Sequence, residues 1–269
     1  MDRQPQQLPG EILEMIVTHL IYDTSSLKTC AATCFAWYNV ATPHLHHSLT
    51  LRQWHSETEC RDLNPLAALY ERGLLSHVKV LRFRSGFSRS PWVVPEYFDS
   101  WGLHYFSALV NLQDLAIAGM DFSKFVSGTE KYFGHSSPTL RSIALIRPTG
   151  SPRQLVDFLA LFPKLDDIKI VCYRATAETY HTPDTLRMPI KGSLRGKLAL
   201  SGFAVGELFE RMISTFGGIR FISMDLDDVL GAQPLLNACA ETLQTLRLNP
   251  DGMLHLCKRF PKNLVQHLS

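Results

Sequence analysis

The sequence predicts an α/β protein in which a short helical segment is followed by strand–helix units that together form one parallel sheet. Three observations support this prediction. Apolar residues recur every four positions near the N-terminus, one apolar pattern recurs along the rest of the chain, and the composition is that of an ordinary globular protein. A chain of 269 residues, 45% of them apolar, buries roughly 70 to 75% of its unfolded surface, so its stability requires neither metal nor disulfides.

Charge and cysteine usage exclude several classes of protein. The 27 basic residues nearly balance the 25 acidic ones, which argues against a nucleic-acid partner and against binding to a membrane surface. The N-terminus has no apolar run typical of a signal peptide, and no stretch approaches the roughly 18 apolar residues of a membrane span. The six cysteines include no Cys-x-x-Cys pair, as expected of free, mostly packed thiols. We therefore expect an intracellular protein, cytoplasmic or nuclear.

The segment from residue 8 to residue 20 predicts an amphipathic helix. Leu8, Ile12, Ile16 and Leu20 are four residues apart and so share one stripe of a helix. Pro9 suits the first helical turn, where its missing N–H has no partner.

A second helix is predicted after a break at residues 22–26, with Ser25 or Ser26 as its N-cap. Pro43 is expected to end it. The apolar residues along this helix are Leu27, Cys30, Ala31, Cys34 and Trp37. Helices this short do not make a robust core alone, so the segment requires a partner surface.

Two motifs in this segment are typical of one family. A Leu-Pro-x-Glu-Ile opening spans residues 8–12, and a Cys-x-x-Trp motif spans residues 34–37. Ala-Thr-Pro at residues 41–43, followed by Leu45 and Leu49, is similar to the tail of fungal F-box proteins. Together these residues resemble an F-box over roughly the first fifth of the chain. Thr33, where the family usually has an aliphatic residue, departs from the pattern.

The resemblance implies a Skp-type adaptor as partner and, through the adaptor, a cullin of a cullin-RING ubiquitin ligase. The alternative is that residues 8–49 only cap the rest of the chain. The residues expected on the adaptor face, or packed beneath it, are Leu8, Pro9, Ile12, Ile16, Leu20, Leu27, Cys34 and Trp37.

The remainder of the chain repeats one apolar pattern, in which four anchors are separated by two, two and one residues. Its third anchor recurs at intervals of 24 to 34 residues, and four of the six intervals fit the period of about 20 to 29 residues of leucine-rich repeats. Two copies are imperfect: one lacks its first anchor and one holds an extra residue. The third anchors are Leu81, Leu115, Ile143, Ile168, Leu198, Ile222 and Leu246.

The last two anchors of each copy alternate, so both point inward from a short strand. The stretches between strands predict helices, and stacked strand–helix units form a curved solenoid with a parallel sheet. A doubly wound α/β sheet is the alternative; against it, no Gly-rich loop follows any strand. The predicted helices span residues 65–76, 96–109, 122–133, 152–162, 204–216 and 233–243.

This part resembles irregular leucine-rich-repeat F-box proteins from Leu49 to Leu248. We therefore divide the chain into an F-box domain, residues 1–50, and a repeat domain, residues 51–269. The Asn or Cys that follows the strand in regular repeats is present only as Asn249, so the loops are expected to satisfy their backbone groups case by case. Residues 253–269 fit either a capping helix or a further interrupted repeat.

Candidate chemistry is sparse. Two cysteines and three histidines at residues 30–47 have zinc-like spacing, but packed thiols are the preferred interpretation. Acidic residues at 166–167 and 225–228 are interpreted as solvated, because no second convergent group is identifiable. No metalloprotease, hydrolase or phosphate-binding motif is present. We therefore predict a protein with no catalytic residue, metal or cofactor.

Two sets of residues are candidates for binding a target protein. The first set lies between strand anchors and consists of Arg82, Arg84, Lys169 and Arg247. These cations either form a basic stripe that binds an acidic or phosphorylated partner, or only keep the sheet soluble. The second set, Trp92 and Trp101, lies in a long connection between strands. These side chains either anchor an interface with a partner or fill the gap between the first two repeats.

The expected function is that of a substrate-recognition subunit of an SCF-type ubiquitin ligase. One alternative is a stand-alone leucine-rich-repeat scaffold. The other is a hydrolase or transferase, but the sequence shows no set of residues that would form its nucleophile.

Overall fold

The structure is a computed structural model of the chain. The described residues are 8–52, 64–84, 103–120, 122, 133–134, 136, 138–150, 152–171, 174–175, 195–201, 218–225 and 232–249. Predictions for the segments 85–102, 204–216 and 253–269 lie outside these residues, as do Trp92 and Trp101.

The N-terminal part consists of three short helices with a small core of their own. Helices α1 (Gly10–His19) and α2 (Thr24–Thr33) both pack against α3 (Phe35–Leu45). Val17, Leu27 and Ala41 form the buried centre of this core. Partly buried residues packed around them are Leu20, Cys30, Ala31, Trp37, Val40 and Leu45.

Three details of this part differ from the prediction. The N-cap of α2 is Asp23, whose carboxylate accepts hydrogen bonds from the N–H groups of Ser25 and Ser26, both at 3.1 Å. The predicted second helix is two helices, because Cys34 has an extended backbone that interrupts it. Pro43 lies inside α3 and does not end it; near the C-terminal end its missing N–H removes one helical bond only.

In the part of the chain that the structure describes, eight parallel strands form one sheet, whose strand order follows the order of the chain. The order does not reverse among these described strands, whereas a doubly wound sheet reverses at its switch point. The first strand begins before residue 50, so the predicted domain boundary falls within a strand. The strands are β1 (Ser48–Arg52), β2 (Val80–Arg84), β3 (Asp114–Ala118), β4 (Ser142–Ile146), β6 (Asp167–Val171), β8 (Arg195–Ser201), β9 (Gly218–Asp225) and β10 (Thr245–Asn249).

Two further strands, β5 (Thr149–Gly150) and β7 (Arg174–Ala175), pair in a separate small parallel sheet. They lie just after β4 and β6. The N–H of Thr149 also donates to the carbonyl of Met120 at 2.8 Å, so the chain segments that follow β3, β4 and β6 stay side by side after leaving the main sheet.

The seven third anchors of the repeated pattern align in one row across the sheet. Each pairs in register with the anchor of the next strand, from Leu81 with Leu115 to Ile222 with Leu246, and Leu49 of β1 extends the row. Six of the seven are fully buried. Leu246 is 42% exposed, because β10 is the last strand of the sheet in the described part of the chain.

Helices cover the apolar side of the sheet. They are α4 (Asn64–Glu71), a 3-10 turn (Leu75–His77), α5 (Leu103–Ser107), α6 (Pro152–Ala160) and α7 (Gln233–Cys239). Each falls within or next to a predicted helix. Residues 123–132 of the predicted helix 122–133, like residues 96–102 of the predicted helix 96–109, lie outside the described residues. Between them and the sheet lies a large buried core that extends from Leu51 to Cys239.

Side chains at the corners link each unit to the next. Asn111 Nδ2 donates to the carbonyl of Ser76 at 2.8 Å, Ser136 Oγ to that of Leu109 at 3.0 Å, and Thr242 Oγ1 to that of Ile219 at 2.9 Å. Each donor lies one unit beyond its acceptor. These three corner carbonyls are therefore satisfied by different side chains in different units.

Candidate functional site

Helix α1 has one buried and one exposed apolar face. Leu13 and Val17 are buried, and Val17 belongs to the core that α1 shares with α2 and α3. The side chains on the opposite face are between 37% and 54% exposed. That exposed face consists of Leu8, just before the helix, and of Ile12, Met15 and Ile16. The predicted stripe therefore lies on the solvent side of α1, except for Leu20, which is partly buried at the C-cap.

The remaining predicted adaptor residues divide between surface and core. Pro9 and Cys34 are exposed. Leu27 is fully buried in the helical core, and Trp37 is partly buried beside it. The expectation of a packed thiol is wrong for Cys34, because the extended backbone at this residue leaves its side chain in solvent between α2 and α3.

Further exposed apolar residues were not identified from the sequence. They lie in the turn after α1 and in the first turn of α3, and the two most exposed are Tyr22 at 94% and Phe35 at 77%. Ile21 and Tyr38 are exposed as well. The sequence signal was present in each case, as an aromatic or aliphatic residue next to a helix break. We call the whole set the N-terminal apolar surface: Leu8, Ile12, Met15, Ile16, Ile21, Tyr22, Phe35 and Tyr38.

The turn between α1 and α2 is held by hydrogen bonds. The N–H of Asp23 donates to the carbonyl of Leu20 at 2.8 Å, and the Ser26 hydroxyl donates to the Asp23 carboxylate at 2.6 Å. The hydrogen bonds from the hydroxyl and then the N–H of Ser26 lower the pKa of Asp23 below its usual value. The charged form of this cap fixes the geometry of the turn that carries Ile21 and Tyr22.

The second candidate surface is the side of the sheet opposite the core, which we call the open face. Its residues alternate with the buried anchors, and Arg82, Arg84, Lys169 and Arg247 are all exposed on it. Three of these four cations lie in a single row of the register, and Arg84 lies in the next row. The complete middle row is Thr50, Arg82, Ala116, Ala144, Lys169, Ala199, Ser223 and Arg247.

The histidines that follow α3 lie where the helices meet the sheet. The pKa of His46 is lowered by burial and then by the nearby charges of His77 and Arg72. Burial also lowers the pKa of His47, followed by Lys79, His44 and Arg82, while Asp114 raises it. This junction therefore collects positive charge at the first edge of the sheet.

The candidate metal ligands do not form a cluster among the described residues. No group of three or more His, Cys, Asp or Glu side chains converges there, so the cysteines and histidines of residues 30–47 are not brought together. Asp166 is exposed and forms an ion pair with Arg141 at 3.6 Å, and Asp167 is exposed on the sheet. The side chains of the acids at 225–228 lie outside the described part.

No family model fits the sequence, and no curated protein is significantly similar to it. Among the described helices, none is long and apolar enough to cross a membrane.

Proposed function

We propose that this protein is a substrate-recognition subunit of an SCF-type (cullin-RING) ubiquitin ligase. In this proposal the N-terminal helices bind a Skp-type adaptor, and the sheet domain, an irregular leucine-rich-repeat solenoid, binds a target protein. The chain performs no catalysis itself. It raises the effective concentration of the target near the ubiquitin-loaded enzyme.

The observation that supports this function most directly is the N-terminal apolar surface. Eight of the 13 large apolar side chains that are exposed in the described residues lie between Leu8 and Tyr38. Scattered apolar residues are normal on a protein surface, whereas a concentration of them marks an interaction site. An amphipathic helix that exposes apolar residues at helical spacing is one of the recurring modes of protein recognition.

The solenoid interpretation has separate support. The strands follow chain order, the anchors lie in register, and side chains of one unit satisfy carbonyls of the preceding one. In a solenoid each unit contacts only its neighbours, and this arrangement of bonds is the expected consequence.

The test is capture of a purified Skp-type adaptor by the full chain. In the variant Ile12→Arg/Ile16→Arg, two exposed side chains become charged while Leu13 and Val17 keep the helix packed. Loss of an interface anchor costs about 2 kcal/mol or more, or roughly 30-fold in affinity for each residue. Capture should therefore disappear while thermal unfolding stays unchanged.

The matched control is Val110→Arg, which places the same charge at an exposed apolar position ahead of β3. This variant should capture the adaptor as well as the wild type does. A folded wild-type chain that fails to bind the adaptor contradicts the proposal, and so does equal loss in both variants.

A second candidate, a repeat scaffold whose helices only cap the sheet, has one observation in its favour. The N–H groups of Lys79 and Val80 both donate to the carbonyl of His47, at 2.9 and 3.0 Å, so the helical part continues directly into the sheet. Retained stability without adaptor binding would favour this candidate.

A further inference from the structure

We infer that the open face of the sheet binds an extended protein segment rich in Asp and Glu, which crosses the strands along the middle row. The inference rests on the proposed function only in naming that segment as part of a ligase target; the binding itself requires no adaptor. Four features support it: the spacing of the cations, the residues between them, the absence of carboxylate partners for them among the described residues, and the charges of the neighbouring row.

The cations of the middle row are evenly spaced. Arg82 is on β2, Lys169 on β6 and Arg247 on β10. Three strand-to-strand steps separate Arg82 from Lys169, and three more separate Lys169 from Arg247. Neighbouring strands lie about 4.8 Å apart, which gives about 14 Å between successive cations. An extended chain advances about 3.4 Å per residue, so four residues span the same distance. Carboxylates at every fourth residue of an extended segment match this row.

The residues between these cations are small. Ala116 and Ala144 separate the first two, and Ala199 and Ser223 separate the last two. All four are half-buried, so they form a low floor on which another backbone can lie close to the sheet. The long side chains of Arg82 and Lys169 rise beside this floor and reach the partner's carboxylates.

The cations have no carboxylate partner in the described part of the chain. Arg82 donates to the Ser48 hydroxyl at 3.3 Å, and neither it nor Lys169 nor Arg247 forms an ion pair there. Their charge is therefore available to a partner, and Arg84, one row away, adds to the positive potential at the β2 end.

The charges of the neighbouring row favour the middle row as the path of the segment. Asp114 and Asp167 belong to the row nearest the start of the strands, next to the middle row. Lys197 belongs to the same row, so the acids of that row outnumber its cations by one, whereas the charged residues of the middle row are all cations. An acidic segment is therefore attracted more strongly to the middle row than to the row beside it. The near balance of total charge, 27 basic against 25 acidic residues, disfavours nucleic acid as the partner, since phosphate binding of that kind uses a strong basic excess.

The test uses the full chain without adaptor and a fluorescent peptide of extended-favouring residues, Ser, Thr and Val, with Glu at every fourth position. Three peptides of equal length serve for comparison: one with the glutamates adjacent, one with Gln in their place, and one with phosphoserine. Anisotropy is measured between about 50 and 200 mM salt, where surface electrostatics are partly screened. The spaced Glu peptide should bind in a salt-dependent manner, and the other two carboxylate or amide peptides should bind much more weakly.

Charge reversal identifies the row. Lys169→Glu should weaken binding of the spaced peptide by roughly tenfold, because it replaces an attraction with a repulsion. Lys169→Gln should have a smaller effect in the same direction. Lys164→Glu, at an exposed position in the turn before β6, should have little effect. All these residues are on the surface, and a melting curve for each variant verifies its fold.

Several outcomes overturn the inference. They are no binding of the spaced Glu peptide at low salt, equal binding of the adjacent-Glu peptide, binding of the phosphoserine peptide alone, and equal losses in Lys164→Glu and Lys169→Glu. None of them affects adaptor capture, which depends on Ile12 and Ile16. Failure of this inference is therefore distinguishable from failure of the proposed function.

Discussion

At the scale of single residues, the sheet depends on positions with a positive φ, a backbone conformation that residues with a β-carbon rarely adopt. Gly196, near the start of β8, has φ +101°, and the register against β9 shifts between Gly196 and Lys197. The N–H of Lys197 donates to the carbonyl of Asp166 at 2.7 Å. A β-carbon on Gly196 would collide with that same carbonyl. This glycine therefore allows β8 to approach β6 closely enough to pair with it.

Replacement of this glycine tests its role. Gly196→Ala should lower the free energy of unfolding by roughly 3 kcal/mol or more, from backbone strain together with a backbone collision. Gly73→Ala is the matched control, because Gly73 has φ +67° and open space around its α-carbon; it should cost only the conformational term of about 1 to 2 kcal/mol. Urea unfolding of the two variants makes the comparison, and equal midpoints would show that the close approach to Asp166 is unimportant.

Residues that follow the strands show how the chain leaves the sheet. Gly119 and Arg147 occupy equivalent positions after β3 and β4, and both have a positive φ, 76° and 54°. Their N–H groups donate to the carbonyls of Ile146 and Val171 on the next strand, at 2.8 and 2.6 Å. The same turn is thus made by a glycine in one unit and by an arginine in the next. Sequence pattern identifies the positions but does not show that they share a conformation.

At the scale of elements, contacts between phenylalanine rings connect the helical layer to the sheet. Phe83 of β2 stacks on Phe106 of α5 at 6.1 Å, and Phe106 contacts Phe133 at 5.4 Å. Phe133 in turn contacts Phe158 and Phe162, at 5.8 and 6.2 Å, in or just after α6. Phe133 therefore joins two successive units, and these three ring partners, Phe106, Phe158 and Phe162, are buried.

The variant Phe133→Ala tests this connection. It removes a fully buried ring between two units and should destabilise the protein by about 3 to 5 kcal/mol. The matched control is Tyr70→Ala, which removes one ring of the edge-to-face pair Tyr70–Tyr105, at 5.3 Å, from an exposed position; it should cost about 1 kcal/mol or less. The measurement is denaturant unfolding of both variants. A small effect at Phe133 would mean that neighbouring side chains refill the space.

The strands were more predictable than the helices, for a physical reason. Alternation of the last two anchors identifies strands such as β3 and β6, because a buried sheet face requires an apolar residue at every second position. Strand β1 was missed, since Leu49 and Leu51 are not preceded by the earlier anchors of the pattern. The break at Cys34 was missed as well, because the apolar spacing continues through it.

At the scale of the whole molecule, the sequence predicted which residues share a helix face but not which face is buried in the fold. Four-residue spacing placed Ile12 and Ile16 together on α1, yet the same rule applies to Leu13 and Val17, which are buried. The choice between the two faces depends on how α1 packs on α3, which is a tertiary contact. The cations of the open face were identified individually, whereas their alignment in one row depends on the strand register.

The junction between the helices and the sheet holds the molecule's two parts together. His46 and His47 lie in it. The carbonyl of His47 accepts hydrogen bonds from the N–H of Lys79, just before β2, and from that of Val80, the first residue of β2. Burial and surrounding positive charge lower the pKa of both imidazoles. The folded protein therefore binds fewer protons than the unfolded chain at mildly acidic pH.

This difference in proton binding predicts that acidification weakens the fold. Above about pH 7.5 both histidines are neutral in both states and contribute no pH dependence. As the pH falls through about 6.5, the unfolded chain takes up protons first, so the free energy of unfolding decreases until the lower pKa values of the folded state are passed. Urea unfolding between about pH 7.5 and 5.5, above the range in which ordinary carboxylates titrate, should show this decrease in the wild type.

The variant His46→Gln/His47→Gln should show a flatter profile, whereas His19→Gln, on the exposed end of α1, should retain the wild-type profile. Identical profiles for the wild type and the double variant would contradict the assignment of this pH dependence to the junction.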